Sequence, residues 1–329
     1  MKKYIGHPSQ LCGVDEMSLL KGKGKGMTLL EVRNGRGLQL TLTADRCMDI
    51  SRVSYMGYNM GYFAPAGYVA PAFYDKNAFL KSFTAGFLTT CGLEGVGVPC
   101  VDDGEEVPMH GTVSNIPCDN YYYTEDDEKI TVCGTIRDAS LFGTKLVMKR
   151  TYEFSKSENS FVLTDEIENV ADKEAPLMLL YHINMGYPLL SENAKVVIPA
   201  NSAVARDDHA KSGFENRLVM EKPQAGYQEM CYFYDVKEKD GMATVGIYNP
   251  DIKKGLTIAF DKSTLDRFTE WKMMGETEYV LGLEPCNCTP DGRDLMRKQG
   301  ILKILKPGES YKTKVVVSFT ETEEDVTDL

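Results

Sequence analysis

Lys145 to Phe154, KLVMKRTYEF, and Phe161 to Ile167, FVLTDEI, flank Ser155 to Ser160, SKSENS. The two arms read as β-strands, and the link between them is rich in turn-forming residues. The same grammar extends outward. Leu38, Leu40 and Leu42 alternate with polar residues after an Asn34-Gly35 turn. Lys195 to Pro199 (KVVIP) is a short strand. Met242 to Tyr248 and Leu256 to Phe260 flank a turn containing Asn249-Pro250-Asp251. Ile301 to Leu305 and Thr313 to Phe319 flank Lys306-Pro307-Gly308-Glu309, a strong turn signal. One helix is expected, Ser263 to Met274, with Ser263 as N-cap and Gly275 beyond its end. Many short strands and few helices predict an all-β sandwich or barrel. No long polar linker or tandem repeat interrupts the chain, so residues 1–329 read as one domain.

Composition narrows the function classes. The 329 residues carry 37 Lys+Arg against 48 Asp+Glu, a net charge of −11. Nucleic acid and anionic membranes both require a basic footprint, so neither is an expected main partner. The longest strongly apolar stretch, Ala175 to Leu190, is interrupted by His182 and Asn184 and is too short to span a bilayer. The N-terminal residues lack the apolar run of a secretory signal. Nine scattered cysteines read as free thiols of a reducing cytoplasm. Cys286 and Cys288 form a CxC with no second pair, so a structural zinc site is not expected. Lys21 to Gly26 (KGKGKG) does not match a phosphate loop and reads as a mobile loop. Gly92 to Gly97 (GLEGVG) reads as a strand-to-loop segment, and Cys91 as a small buried hydrophobe.

Three segments set an ionisable residue among glycines, prolines and apolar residues. They are Pro108-Met109-His110-Gly111, Leu180-Tyr181-His182-Ile183-Asn184 and Leu283-Glu284-Pro285-Cys286-Asn287. A histidine in an apolar run is buried and needs hydrogen-bond partners, and a buried glutamate is normally paired. Each alone reads as a satisfied core residue or a structural ion pair. Together they point to a shared acid/base site. Metal ligation by facing strands stays open at this point, although no HxH or HxxxH pair is present. Tyr187 and Trp271 lie near these segments and could offer flat faces to a sugar.

At these three segments the chain resembles the galactose mutarotase-like, aldose 1-epimerase superfamily, in a bacterial branch. The His-Gly pair (His110-Gly111), the second histidine (Tyr181-His182-Ile183-Asn184) and the late glutamate (Gly282-Leu283-Glu284-Pro285) come in the family's order. Leu305 to Tyr311 resembles its last hairpin. The resemblance implies a β-supersandwich with a sugar cleft across one sheet, and an isomerase that interconverts sugar anomers. By that resemblance Glu284 is the general base, His182 the general acid and His110 the supporting histidine. Such chemistry opens and recloses a hemiacetal with two positioned groups and needs no cofactor. The expected partner is a small-molecule carbohydrate, and a homodimer is left open. A carbohydrate-binding protein without turnover and a metal-dependent sugar isomerase or lyase are the alternatives.

The chain departs from the family in two respects, an arginine and a substrate-binding aspartate. Classical members carry an arginine shortly before the first histidine, but no arginine occurs between Arg52 and Arg137. Arg46, Lys81 and Lys272, beside Trp271, are candidates to hold sugar hydroxyls in its place. Asp235 and Asp207 are candidates for the family's substrate-binding aspartate. His7 and His209 are further candidate site residues.

Overall fold

The computed structural model describes residues 2–329. Two antiparallel sheets dominate it. One runs in the order Lys195–Val197, Met242–Asn249, Lys254–Asp261, Ser310–Thr320, Ser160–Asn169, Lys145–Ser155, Lys129–Ala139, Asn120–Glu125. The stretch that opened the sequence reading is a hairpin inside this sheet, with Phe154 opposite Phe161. Its strands show alternating burial, as expected of a sheet with one face on the core and one toward solvent.

The second sheet carries the strands of two of the three ionisable segments, those of His182 and Glu284, side by side. Its order is Ala200–Ala205, Met230–Val236, Arg267–Met274, Tyr279–Cys286, Ala175–Met185, with Leu88–Leu93 and Lys303–Leu305 both pairing with the last of these. Here Tyr279–Cys286 is buried at every position, and Ala175–Met185 at all but Pro176. Both faces are covered. Leu179, Tyr181, Ile183, Leu281 and Leu283 enter the main core, whose members run from Leu30 to Phe319. The alternate residues Met178, Leu180 and Cys286 join a smaller cluster on the opposite face. His182, Asn184 and Glu284 belong to that second face by the two-residue period of a strand. A further sheet spans Gly13–Ser18 to Tyr58–Asn59, and a small ribbon pairs Cys100–Asp102 with Glu105–Val107.

Buried charge ties the layers together. Arg150 is fully buried and donates to Asp165 (2.9 and 2.7 Å), to Asp49 (2.7 Å) and to the Cys47 carbonyl (2.8 Å). The Tyr181 hydroxyl donates to the same Asp165 (2.6 Å). The core-facing neighbour of His182 is thereby anchored through the sandwich.

Two expectations are corrected. Residues Arg267–Met274 form a strand, not a helix. The Pro307-Gly308 turn is present, but its arms do not pair with each other. Lys303–Leu305 pairs with the His182 strand, whereas Ser310–Thr320 joins the other sheet. The KGKGKG segment connects two strands and is tied by backbone hydrogen bonds, Gly26 N to Leu19 O (2.7 Å) and Ala70 N to Lys23 O (3.0 Å). Among the described residues no helix is long and apolar enough to cross a membrane.

Candidate active site

The antiparallel register sets Ile183 opposite Leu283 and Asn184 opposite Gly282, which brings His182 and Glu284 side by side. His182 Nδ1 lies 3.1 Å from Glu284 Oε1. Both side chains are almost fully buried. The glutamate fits because residue 282 is glycine. A methyl built there would sit 2.3 Å from Glu284 Oε1 and 3.1 Å from Trp271 Cβ. The carboxyl group therefore folds over the bare backbone of Gly282.

His110 arrives from a loop. It adopts a left-handed backbone (φ 56°), and Gly111 follows at φ 71° with the Gly92 carbonyl so near that no side chain fits. The Gly92–Gly97 segment holds this loop: Gly92 N donates to His110 O (3.1 Å), and His110 N donates to Gly97 O (3.0 Å). The His110 and His182 rings meet edge to face at 5.6 Å. Trp271 stands edge to face with His182 at 5.2 Å, and its Nε1 donates to Glu229 (2.7 Å). Phe79 packs on His110 and Phe83 on His182.

These residues line one cleft of about 520 Å³. Its apolar wall includes Leu80, Val98, Met109, Met273 and Val280, and its polar groups include Tyr62, Arg206, Glu229, Thr269 and Glu278. The size and the few convergent polar groups suit a small molecule. Burial lowers the His182 pKa to about 3, with the neighbouring His110 adding to the effect, and lowers that of His110 to about 4. Burial pushes Glu284 well above the usual carboxylate range, and the Glu229 charge pushes it the same way. Both imidazoles are therefore uncharged at neutral pH, and burial favours the protonated form of Glu284.

The sequence-derived candidates separate cleanly. His110, His182, Glu284 and Trp271 converge on the cleft. Lys272 does not, because adjacent strand residues face opposite ways. It is buried on the far face, donating to Val219 O (2.7 Å), Asn216 O (3.2 Å) and Glu221 (3.2 Å). Arg46 is a buried clip whose donors go to Ser114 O, Val69 O, Ser82 O and Asn115 Oδ1, so it lies off the cleft with its guanidinium engaged. Lys81 borders a separate, more open cavity with Lys76 and Glu106, behind Phe79 and Leu80. Asp235 lies outside the lining and pairs with Lys262 (2.6 Å). Asp207 caps the short helix Asp208–Ser212, accepting from Ala210 N (2.8 Å). His209 lies on that helix, near Gln228 O (3.3 Å). His7 caps the 3-10 turn Pro8–Gln10 near the N-terminus, and Tyr187 is exposed outside the cleft lining.

Sequence reading does not single out Arg206 or Glu229, and it gives Asn184 no role of its own. Arg206 is the one arginine in the lining, held by Asp207 (3.3 Å) and Glu229 (3.6 Å). Its sequence signal is weak: a single arginine just after the strand Ala200–Ala205 and one residue before the candidate Asp207. Among the described residues no three His, Cys, Asp or Glu side chains are arranged to hold a metal.

Comparison with known proteins adds the family. The family model described as Domain of unknown function (DUF4432) matches residues 24–319. The chain belongs to that family. Solved structures similar to the chain carry the galactose mutarotase-like fold. A Klebsiella pneumoniae protein provisionally named an aldose 1-epimerase is 27% identical, with a TM-score of 0.88 over 93% of this chain and 83% of its own. A galactose mutarotase-like protein from Clostridium acetobutylicum is 14% identical (TM-score 0.70; 95% and 100% covered). The galactose 1-epimerase of Lactobacillus acidophilus is 15% identical (TM-score 0.63; 94% and 98% covered). The last two share the fold. No curated protein matches the chain.

Proposed function

We propose that this protein is an aldose 1-epimerase-like isomerase that binds a sugar in the His110–His182–Glu284 cleft and interconverts its anomers. The observation that carries the reading is a buried carboxyl group in contact with an imidazole in the lining of one cleft, with a second imidazole beside it. Ring opening needs one group to take the anomeric hydroxyl proton while another protonates the ring oxygen. Rotation about the bond from the anomeric carbon to its neighbour and reclosure, with the roles reversed, gives the other anomer. Each such group contributes roughly 10²–10⁴-fold. Trp271 supplies an apolar face for the sugar's CH edge, and Arg206 holds hydroxyls in place of the family's missing arginine.

The substrate class follows from charge. The single arginine of the lining is already flanked by two carboxylates, and Glu278 adds another acidic group. A neutral aldose suits this wall, whereas a uronate or sugar phosphate meets repulsion. An exchange screen by NMR with neutral, acidic and phosphorylated sugars tests this. Acceleration confined to neutral sugars is expected; turnover of sugar phosphates alone would refute the class.

A further inference from the structure

Asn184 has no place in the acid/base reading above, yet its contacts decide which nitrogen of His182 holds a proton. Its side-chain nitrogen donates to Gly86 O (3.1 Å) and to His182 O (2.9 Å). A flipped amide would turn its oxygen onto both carbonyls, so the orientation is fixed. Asn184 Oδ1 then faces His182 Nδ1 at 2.6 Å and must receive a proton from it. Nδ1–H points at Asn184 rather than at Glu284, whose Oε1 lies 3.1 Å from the same nitrogen but has no hydrogen-bond partner. His182 Nε2 has no partner among the described residues. His110 is held the other way round: Gly97 N donates to its Nδ1 (3.4 Å), which leaves Nε2 as the protonated nitrogen.

We propose, resting on the anomerase reading, that Asn184 and the Gly97 amide set opposite tautomers on the two histidines. His182 then starts the reaction as proton acceptor through Nε2, His110 is a hydrogen-bond donor, and Glu284 is the starting proton donor. This reverses the order that the family resemblance implies. An unpartnered buried carboxylate is costly, which favours the protonated form of Glu284. Burial acts on Glu284 and His182 in the directions this requires.

The step balances. His182 Nε2 takes the anomeric hydroxyl proton, and the O–H electron pair becomes the carbonyl bond. The bond between the anomeric carbon and the ring oxygen breaks, its pair goes to the ring oxygen, and that oxygen takes the Glu284 proton. The products are the open aldehyde, imidazolium and carboxylate. The new charges face each other at the observed 3.1 Å, which stabilises the open-chain state. On reclosure the ring hydroxyl returns its proton to Glu284 as its oxygen attacks the carbonyl carbon, and the imidazolium reprotonates the anomeric oxygen. Asn184 touches no substrate and is a positioning residue.

Nitrogen NMR on ring-labelled histidine in the substrate-free wild-type protein tests the assignment. Four histidines are present, and single His→Gln variants assign them. At neutral pH, His182 is expected to be protonated on Nδ1 alone and His110 on Nε2 alone. A His182 protonated on Nε2, or on both nitrogens, overturns the proposal. Asn184→Asp places a carboxylate on Nδ1 and should make His182 an imidazolium, with kcat falling about 10–100-fold, KM nearly unchanged and the pH–rate profile displaced. A wild-type pH profile and tautomer in Asn184→Asp also overturn it. The wild-type spectra need no substrate, so a failure to find anomer exchange counts against the proposed function and not against the tautomers.

Discussion

Gly282→Ala separates the fold from the site. The backbone at 282 is ordinary strand, so alanine brings no backbone strain, only volume. The added methyl would stand 2.3 Å from Glu284 Oε1, against an ordinary carbon–oxygen contact of roughly 3.4 Å, so the carboxyl end must move by about 1 Å. The displaced atom is the tip of a flexible side chain beside an open cleft, and the second contact, Trp271 Cβ at 3.1 Å, requires only a few tenths of an ångström. Overpacking should cost about 1 kcal/mol, at the low end for such changes. A displacement of about 1 Å at the reacting group is enough to lose roughly 10²-fold in rate. Thermal unfolding and NMR anomer exchange, measured on the same sample, read the two effects. A variant with wild-type exchange rates would refute the reasoning that Gly282 exists to seat Glu284. A variant that fails to fold would refute the claim that the carboxyl can yield into the cleft.

Other consequences follow from the same contacts. Trp271 is the one tryptophan in the chain and lines the cleft, so a bound sugar should change its fluorescence, and Trp271→Ala should weaken binding; sugar turnover with no change in emission would remove Trp271 from the site. Because folding lowers the His110 pKa from 6.5 to about 4, its contribution to stability is present above 6.5 and lost as pH falls toward 4. His110→Gln lacks that loss, so denaturant titrations should show the variant gaining on wild type by up to about 1.4 kcal/mol per pH unit on acidification through this range. A constant difference would contradict the buried neutral imidazole. Arg150→Met leaves Asp49 and Asp165 unpaired in the core and should cost about 3–5 kcal/mol, read as a lower unfolding midpoint; a smaller loss would mean the network does not join the layers.

The parts of this protein legible in its sequence are those written locally. Two-residue alternation and turn residues mark the hairpin from Lys145 to Asn169 and the strands Met242–Asn249 and Lys254–Asp261. Arg267–Met274 hides the same alternation, because each face carries both polar and apolar residues. Glu270 and Lys272 are buried on the core side with partners drawn from Tyr234 and Glu221, so the strand looks like an amphipathic helix. That period also explains why Trp271 lines the cleft and its neighbour Lys272 does not. The tail turn was visible, but the partners of its two arms lie far away in the chain and leave no local mark.

The site divides along the same line. His110, His182 and Glu284 stand out as ionisable residues in apolar surroundings, and the fold gathers them. Arg206 and Glu229 sit in ordinary polar stretches, and only the packing of distant strands turns them toward the cleft. Asn184 was in view beside His182, but its meaning rests on the Gly86 carbonyl, which sequence cannot place. Arg46 reads as a free cation in the sequence and is a structural clip, since three separate segments, at Val69, Ser82 and Ser114-Asn115, converge on it.

The most direct test of the proposed chemistry is saturation-transfer NMR between the two anomeric protons of neutral aldoses, with wild-type protein and with Glu284→Gln. The account predicts faster exchange for at least one neutral sugar with wild type, and none beyond the spontaneous rate with Glu284→Gln while that variant still binds the sugar by Trp271 fluorescence. Sugar binding by wild type with no acceleration, or full acceleration by Glu284→Gln, would contradict it.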